Sequence, residues 1–343
     1  MIEKLSFPDQ RIIDYLNADY GIKVAKLTFL PLGADGHAAL YKAEAHDQSS
    51  YFVKVKHGRH NDIGSIIHAF VHDAGLQQVI PIVRTLHGQL TRQIEDFSLV
   101  VFPFIEGQDG FSRDLTQKQW YTLGKVMRQV HEMDVPPLIQ SSIRQETYSS
   151  QWRQAVRSLY AYIESERESI ERRDEPALNL LAFMMKHKAA ILRLVDRAEQ
   201  LSQMIQNQVH EFVLCHSDIH GGNVLIDKNE AIYIIDWDEP IMAPKERDLM
   251  FIGGGVANVW NKPHEEELFY QGYGTVEINW EILSYYRHER IVEDIAIYGQ
   301  QLLLSTEGGQ DRVEIYKQFV SQFDPIGVVE IALKTDENLH RPS

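Results

Sequence analysis

One stretch constrains this chain more than any other: residues 213–238, reading VLCHSDIHGGNVLIDKNEAIYIIDWD. Two apolar runs, Val224-Leu225-Ile226 and Ala231 to Ile235, flank Asp227-Lys228-Asn229-Glu230. Apolar runs of that length with turn formers between them predict a β-hairpin. A polar loop at 216–223 precedes it, and Asp236-Trp237-Asp238 follows it. A hairpin returns its far end to the neighbourhood of its start, so both polar patches are expected at one mouth.

Their contents suit phosphoryl transfer. Asp218 is a candidate base or orienter for an attacking hydroxyl. Asn223 and Asp236 offer hard oxygen atoms of the kind Mg²⁺ requires, an ion that shares its shell with nucleotide phosphates. The five-position step from Asp218 to Asn223, with His216 leading, matches the kinase catalytic loop H-x-D-x-x-x-x-N, and Asp236 opens Asp-Trp-Asp where protein kinases carry D-F-G. A purely structural hairpin has no need of these groups at its open end. A zinc site through His216 and His220 is the sharper rival, but the metalloprotease helix needs H-E-x-x-H, and Gly221-Gly222 disfavours a helix here.

HSDIHGGN followed by IIDWDEP resembles the aminoglycoside phosphotransferase family, which shares the protein-kinase fold. WDEPIMAPKERDLMFIGGG, NVWNKPHE and SYYRHERIVEDIA carry the resemblance over nearly the whole chain. It implies an α+β, two-lobed protein-kinase-like enzyme with a small antiparallel-sheet N-lobe and a large, mostly helical C-lobe. It also implies ATP and Mg²⁺ as cofactors and an aminocyclitol antibiotic, spectinomycin, as acceptor. The lobes are expected at 1–103, the nucleotide-binding lobe ending in the hinge, and at 104–343, with the catalytic loop and the acceptor site. The alternative within the fold is a metabolic kinase for choline, homoserine or a methylthio-sugar. A nucleotide-binding protein without turnover is disfavoured by the complete set Lys54, Asp218, Asn223 and Asp236. A protein-kinase role is disfavoured because no A-P-E segment follows, and the chain after Asp236 is expected to run directly into helix.

In the first third, residues 10–20 carry apolar residues at helical spacing and end at Gly21, a C-cap signal. Strand-like runs surround Gly33 and Gly36, where the backbone can approach a phosphate, although the loop is not G-x-G-x-x-G. Tyr51-Phe52-Val53-Lys54-Val55-Lys56 resembles the third kinase strand, V-A-I-K, which makes Lys54 the candidate for the α/β phosphates, with Lys56 competing. The helix expected at 63–74 holds no glutamate for that lysine, so Asp62 is the candidate partner, or else an N-cap. The apolar run at 97–105 reads as a buried strand entering the hinge. There Pro103, which lacks an N–H, supplies a carbonyl to adenine and Ile105 an amide. Helices are expected at 115–133, 152–164 and 177–204. Asp248 resembles the family aspartate that braces the catalytic loop.

Composition bounds the partners. Lys and Arg total 34 against 49 Asp and Glu, a formal net charge of −15. Such a chain repels nucleic acid and anionic membranes and attracts a cationic small molecule. No protein partner is evident. No run reaches the length of a membrane span. The single cysteine, Cys215, and a start without a leader pattern lead to an expected cytoplasmic location. The expected acceptor-side residues are Asp218, Asp238, Trp260, Tyr285, Tyr286, Glu289 and Glu293. Glu289 and Glu293 share a helix face at i, i+4 and are candidate readers of an ammonium.

Overall fold

Period-two burial builds the first sheet. The computed structural model describes residues 7–31, 38–58, 62–306, 308–309 and 311–340. Within them, α1 (Asp9–Tyr20) buries Ile12, Leu16 and Tyr20 on one face and stops at Gly21, whose φ of 69° lets its amide reach the Leu16 carbonyl. The strands β1 (Val24–Leu30), β2 (Ala38–Ala45), β3 (Ser50–His57), β4 (Arg92–Ile94) and β5 (Phe97–Pro103) form one sheet of order β1-β2-β3-β5-β4. All its neighbours are antiparallel. Tyr41, Val53, Val55, Leu99 and Val101 point to one face and are buried with Ile12 and Leu16 of α1. The alternate residues, Lys54 and Lys56 among them, therefore point to the other face. There Val100 packs with Ala69 of α2 (Ile63–Asp73). Gly33 and Gly36 lie outside the described residues.

The expected hairpin is present. Val224–Asp227 pairs antiparallel with Ile232–Ile234, Ile226 lying opposite Ile232. Asp227 closes the turn by accepting from the amides of Asn229 and Ala231. A third strand, Gly107–Asp109, joins on the free edge, Gln108 opposite Ile226. Three residues carry no readable period, which is why the sequence did not announce it.

By contact, the chain divides into two compact units. One comprises Met1–Gln119, Val135–Ile143 and Gly221–Pro240, and the other Trp120–Asp134, Arg144–His220 and Ile241–Ser343. The first thus takes in the hairpin from far along the chain. The second is built on a helical core in which Gln151–Ser165, Lys188–Ile205 and the 24-residue helix Trp280–Leu303 bury their apolar faces together.

Two expectations are corrected here. Residues 177–204 are not one helix: Glu175–Lys186 ends at His187, and Lys188–Ile205 begins anew. The apolar period runs through the break, so periodicity alone cannot see it. At the break the His187 ring stacks on Phe183 at 4.2 Å. Nor does the chain pass directly from Asp236 into helix. It first forms Ile241–Ala243, the middle strand between Arg144–Gln145 and Val213–Cys215, and only then the short helix Glu246–Leu249. Cys215 is a buried strand residue, as read from its apolar run.

Candidate active site

The first unit assembles a lysine–carboxylate cluster. Lys54 Nζ donates to Asp236 Oδ1 at 2.9 Å and to Asp238 Oδ2 at 2.6 Å. Lys56 Nζ lies 2.5 Å from the same Asp238 oxygen. Burial by itself would lower the Lys54 pKa, but the charges of Asp236 and Asp238 outweigh it and raise the ammonium above its ordinary value. The same two lysines hold the Asp238 carboxyl well below the usual carboxylate range against its own burial. The partner of Lys54 thus comes from Asp-Trp-Asp and not from α2. Asp62 instead accepts from the Thr91 hydroxyl at 2.9 Å. Asp238, expected on the acceptor side, is here the shared counterion of Lys54 and Lys56.

One residue that the sequence reading did not single out permits this cluster. A Cβ on Gly64, in the first turn of α2, would stand 2.7 Å from the Trp237 carbonyl oxygen and 2.9 Å from that of Asp238. Only glycine lets the helix approach that backbone so closely. Asp236 itself has φ of 63°, a left-handed conformation that a non-glycine residue holds only when its surroundings enforce it. The Ile235 amide donates to the Asn223 carbonyl at 3.0 Å, so the hairpin does bring Asn223 and Asp236 into one neighbourhood. Asn223 supplies an amide oxygen and Asp236, whose side chain is 45% exposed, a carboxylate, both hard donors of the kind Mg²⁺ takes. These residues fit Mg²⁺.

At the end of β5 the Phe104 amide is taken by the Ser50 carbonyl at 2.9 Å. The Ile105 amide makes no hydrogen bond among the described residues. Pro103, opposite Tyr51, closes the ladder. The backbone pattern suits the expected contact with an adenine. Pro103→Ala leaves nucleotide affinity nearly unchanged, because the carbonyl stays, whereas Ile105→Pro weakens it by at least the worth of one hydrogen bond, about 0.5–1.5 kcal/mol. Equal calorimetric affinity of the wild type and Ile105→Pro would move the adenine contact elsewhere.

Asp218, the candidate catalytic residue, lies in the second unit, on a loop pinned from below. Asp248 accepts from the His216 amide at 2.8 Å, the Ser217 amide at 2.7 Å and His131 Nε2 at 3.0 Å, and is buried. It braces the loop as the resemblance implied, and holds Ser217 at φ of 74°. Buried beside it, His131 and Cys215 come close enough for a shared ion. All three are already committed: His131 Nδ1 meets the Tyr273 hydroxyl, and the Cys215 thiol, its pKa raised by burial, points at the Ala243 and Pro244 carbonyls. Asp218 itself contacts Arg290 Nη1 through Oδ1 at 3.0 Å and His220 Nε2 through Oδ2 at 3.3 Å. Burial would raise its pKa, but the His220 hydrogen bond and the charges of Arg290, His220 and His216 hold the carboxyl well below the usual range.

The remaining acceptor-side candidates also lie in the second unit. Trp260, Tyr285 and Tyr286 are core rings, all buried: Trp260 packs edge-on to Trp120 at 4.9 Å, and Tyr285 meets Tyr148 at 5.4 Å and Tyr286 at 5.2 Å. None presents an open face, so the expected aromatic wall is not displayed. The Tyr286 hydroxyl donates to Glu146 at 3.1 Å. Glu289 pairs with the buried guanidinium of Arg153 while its Oε1 has no hydrogen-bond partner among the described residues. Burial pushes its carboxyl up to about 7 despite Arg153, with Glu293 and Glu146 adding to the rise. Glu293 in turn acts on the half-buried Arg247. Carboxylates outnumber guanidinium groups in this cluster of Glu146, Glu289, Glu293 and Asp294 with Arg153, Arg247 and Arg290.

The sheet with its buried lysine, the polar-mouthed hairpin and the braced H-x-D-x-x-x-x-N loop are those of a protein-kinase-like α+β phosphotransferase. The chain belongs to the phosphotransferase enzyme family, whose model matches residues 28–280. It is similar over almost its whole length to the spectinomycin phosphotransferase APH(9)-Ia in complex with ADP and spectinomycin: 48% identical, 97% of this chain against 99% of that one, TM-score 0.89. The AMP-bound complex of that enzyme gives 48% identity over 95% and 98%, TM-score 0.84. An amicoumacin kinase, 18% identical over 94% and 95% with TM-score 0.62, shares the fold. A search among curated protein sequences returned no match.

Proposed function

We propose that this enzyme transfers the γ-phosphoryl group of ATP to a hydroxyl of spectinomycin and thereby confers resistance to it. The observation that carries the acceptor is the end-to-end likeness to a phosphotransferase bound to ADP and spectinomycin. The carboxylates Glu293 and Asp294, on the helix that carries Arg290 to Asp218, support it, since spectinomycin carries two secondary amines. Lys54 neutralises charge on the α/β phosphates, and Pro103 and Ile105 hold the adenine. Asn223 and Asp236 would hold Mg²⁺, which would supply charge neutralisation to the nucleotide. Asp218 accepts the hydroxyl hydrogen and aims the oxygen at phosphorus. The new O–P bond forms as the bond to the ADP oxygen breaks, and the proton passes to Asp218. Positioning and charge neutralisation carry the rate. Among the described residues no helix is long and apolar enough to cross a membrane. We place the activity in the cytoplasm, where ATP and the single thiol of Cys215 both fit.

The test is ADP release, coupled to a dehydrogenase, against spectinomycin, kanamycin, choline and homoserine, with growth on spectinomycin alongside. Turnover of spectinomycin with little of kanamycin is expected, because kanamycin spreads more charges over a longer scaffold. Turnover of only choline or homoserine, without resistance, would overturn the acceptor and leave the kinase chemistry standing.

Glu289 gives a pH signature. Its folded pKa of about 7 lies above the ordinary 4.5, so it becomes an anion only as pH rises through 7. The KM for spectinomycin therefore falls from pH 6 to 8 in the wild type, and the Glu289→Gln variant loses most of that fall. KM moves more than kcat, as uniform binding requires. The linkage sign is fixed too. A raised folded pKa gives a contribution to stability that is complete below 4.5 and lost as pH rises through 7. The melting temperature of the wild type should thus drop relative to Glu289→Gln over that window. Parallel KM profiles in the two proteins would remove Glu289 from substrate binding.

A further inference from the structure

Arg290 sits in the middle of the helix Trp280–Leu303, a position that in a globular enzyme is ordinarily packing or surface. Here its guanidinium Nη1 donates to Asp218 Oδ1 at 3.0 Å, and its Nε lies 3.3 Å from Asp294 Oδ1 one turn along the same helix. The side chain is 19% exposed, and the guanidinium rests 5.8 Å over the buried ring of Phe251. The His220 ring lies 6.2 Å from that same Phe251 ring and presents Nε2 to the second oxygen of Asp218 at 3.3 Å. Each oxygen of the carboxylate thus meets a different donor, and one phenyl ring seats both donors.

We infer that Arg290 is a positioning residue for phosphoryl transfer: together with His220 it fixes the plane of the Asp218 carboxylate, while Asp294 and Phe251 fix Arg290. The inference rests on the reading of Asp218 as the group that receives the acceptor hydroxyl. Its physical basis is the reach of a single aspartate. The carboxylate turns freely about its last torsion, which is broad. In-line attack tolerates little misplacement, since about 1 Å can cost on the order of 10²-fold. Two donors from opposite sides remove that freedom. A carboxylate oxygen has two lone pairs, so a contact with Arg290 or His220 does not by itself bar the acceptor hydroxyl from donating to it. The planar fork of arginine can bridge two carboxylates at once, which an ammonium point charge does less well.

A bland alternative is that Arg290 only neutralises Asp294, whose carboxyl burial pushes up to about 6 against the opposing charge of Arg290. The two readings part at Asp218. The groups that act most strongly on that carboxylate include His216 and His220 from its own loop and Arg290 from the long helix, with Asp294 behind Arg290 and Glu293 acting on both. Removing Arg290 takes away a permanent positive charge that touches Asp218.

The experiment uses the full chain with ¹³Cγ-labelled aspartate, the Asp218 signal being assigned by its loss in Asp218→Asn. In the wild type that signal stays at its ionised position from pH 8 down to pH 4. In Arg290→Met it titrates inside this window, and kcat for the acceptor falls about 10²-fold with KM within about threefold. Arg290→Lys retains the charge against Asp294 and guards against a folding defect in the methionine variant. It is expected to melt within a few degrees of the wild type yet to lose roughly tenfold in kcat, because the fork is gone. A flat Asp218 titration in Arg290→Met, or full kcat in Arg290→Lys, overturns the inference. If the wild type turns over no spectinomycin, the proposed acceptor fails. The titration then still reports on the Arg290–Asp218 pair without any acceptor.

Discussion

Asp218→Asn lowers kcat by about 10²–10⁴-fold, the range of a positioned base or orienting group, while nucleotide affinity and melting temperature stay near those of the wild type. The carboxamide has the shape of the carboxylate, and its oxygen can still accept from Arg290 or from His220. The second position becomes an NH₂ group, which cannot accept from a hydroxyl and opposes whichever donor it faces. The acceptor oxygen then loses both its orientation and its proton acceptor. Neither the Asp248 brace on the His216 and Ser217 amides nor the Lys54 cluster is touched. The low pKa of Asp218 sharpens the expectation. In the proposed role so weak a base would orient the hydroxyl and take the proton only as the O–P bond forms, in keeping with a loose transition state. The check is the ADP-release assay beside calorimetric binding of nucleotide. Activity within about threefold of the wild type would dismiss the role.

Much of this architecture was legible because it rests on period and spacing. The hairpin declared itself through apolar runs around Asp227-Lys228-Asn229-Glu230, α1 through Ile12, Leu16 and Gly21, and β3 through the alternation around Lys54. The five-position step from Asp218 to Asn223 pointed to the chemistry before any fold was known. What stayed hidden depends on long-range partners. Nothing local says that Lys54 is held by Asp236 and Asp238, 182 and 184 positions away, and not by an acid in α2. Gly64 looks like an ordinary helix glycine until the Trp237 carbonyl is found where its Cβ would go. Arg290 lies in a charged helix run, and only the fold aims it at Asp218. The rings of Trp260, Tyr285 and Tyr286 show the reverse error. Aromatic residues near acidic ones suggest a cation site, but large rings contribute most when buried, and these are buried.

Asp236→Ala lowers kcat with Mg·ATP by about 10²–10³-fold, the scale on which one preorganised charge-stabilising contact acts, and weakens Mg·ATP binding while adenosine binding holds. Only the phosphates share the ion, so a lost metal ligand cannot be felt by the nucleoside. The structure explains why the fold survives. The Asp236 side chain is 45% exposed, and Lys54, 14% exposed, retains its shorter contact at 2.6 Å to Asp238. The buried ammonium therefore keeps a counterion, which avoids the large penalty of an unpaired buried charge. Asp238→Ala is the control that makes the result specific. It strips Lys56 of the contact at 2.5 Å and leaves Lys54 only the exposed Asp236. That variant should lose thermal stability and bind adenosine and Mg·ATP less well together. If Asp236→Ala also weakens adenosine and Mg·ATP equally, its carboxylate serves the lysine cluster and not the metal. A split between the two ligands in Asp236→Ala, beside a common loss in Asp238→Ala, divides Asp-Trp-Asp into one carboxylate for the ion and one for the lysines.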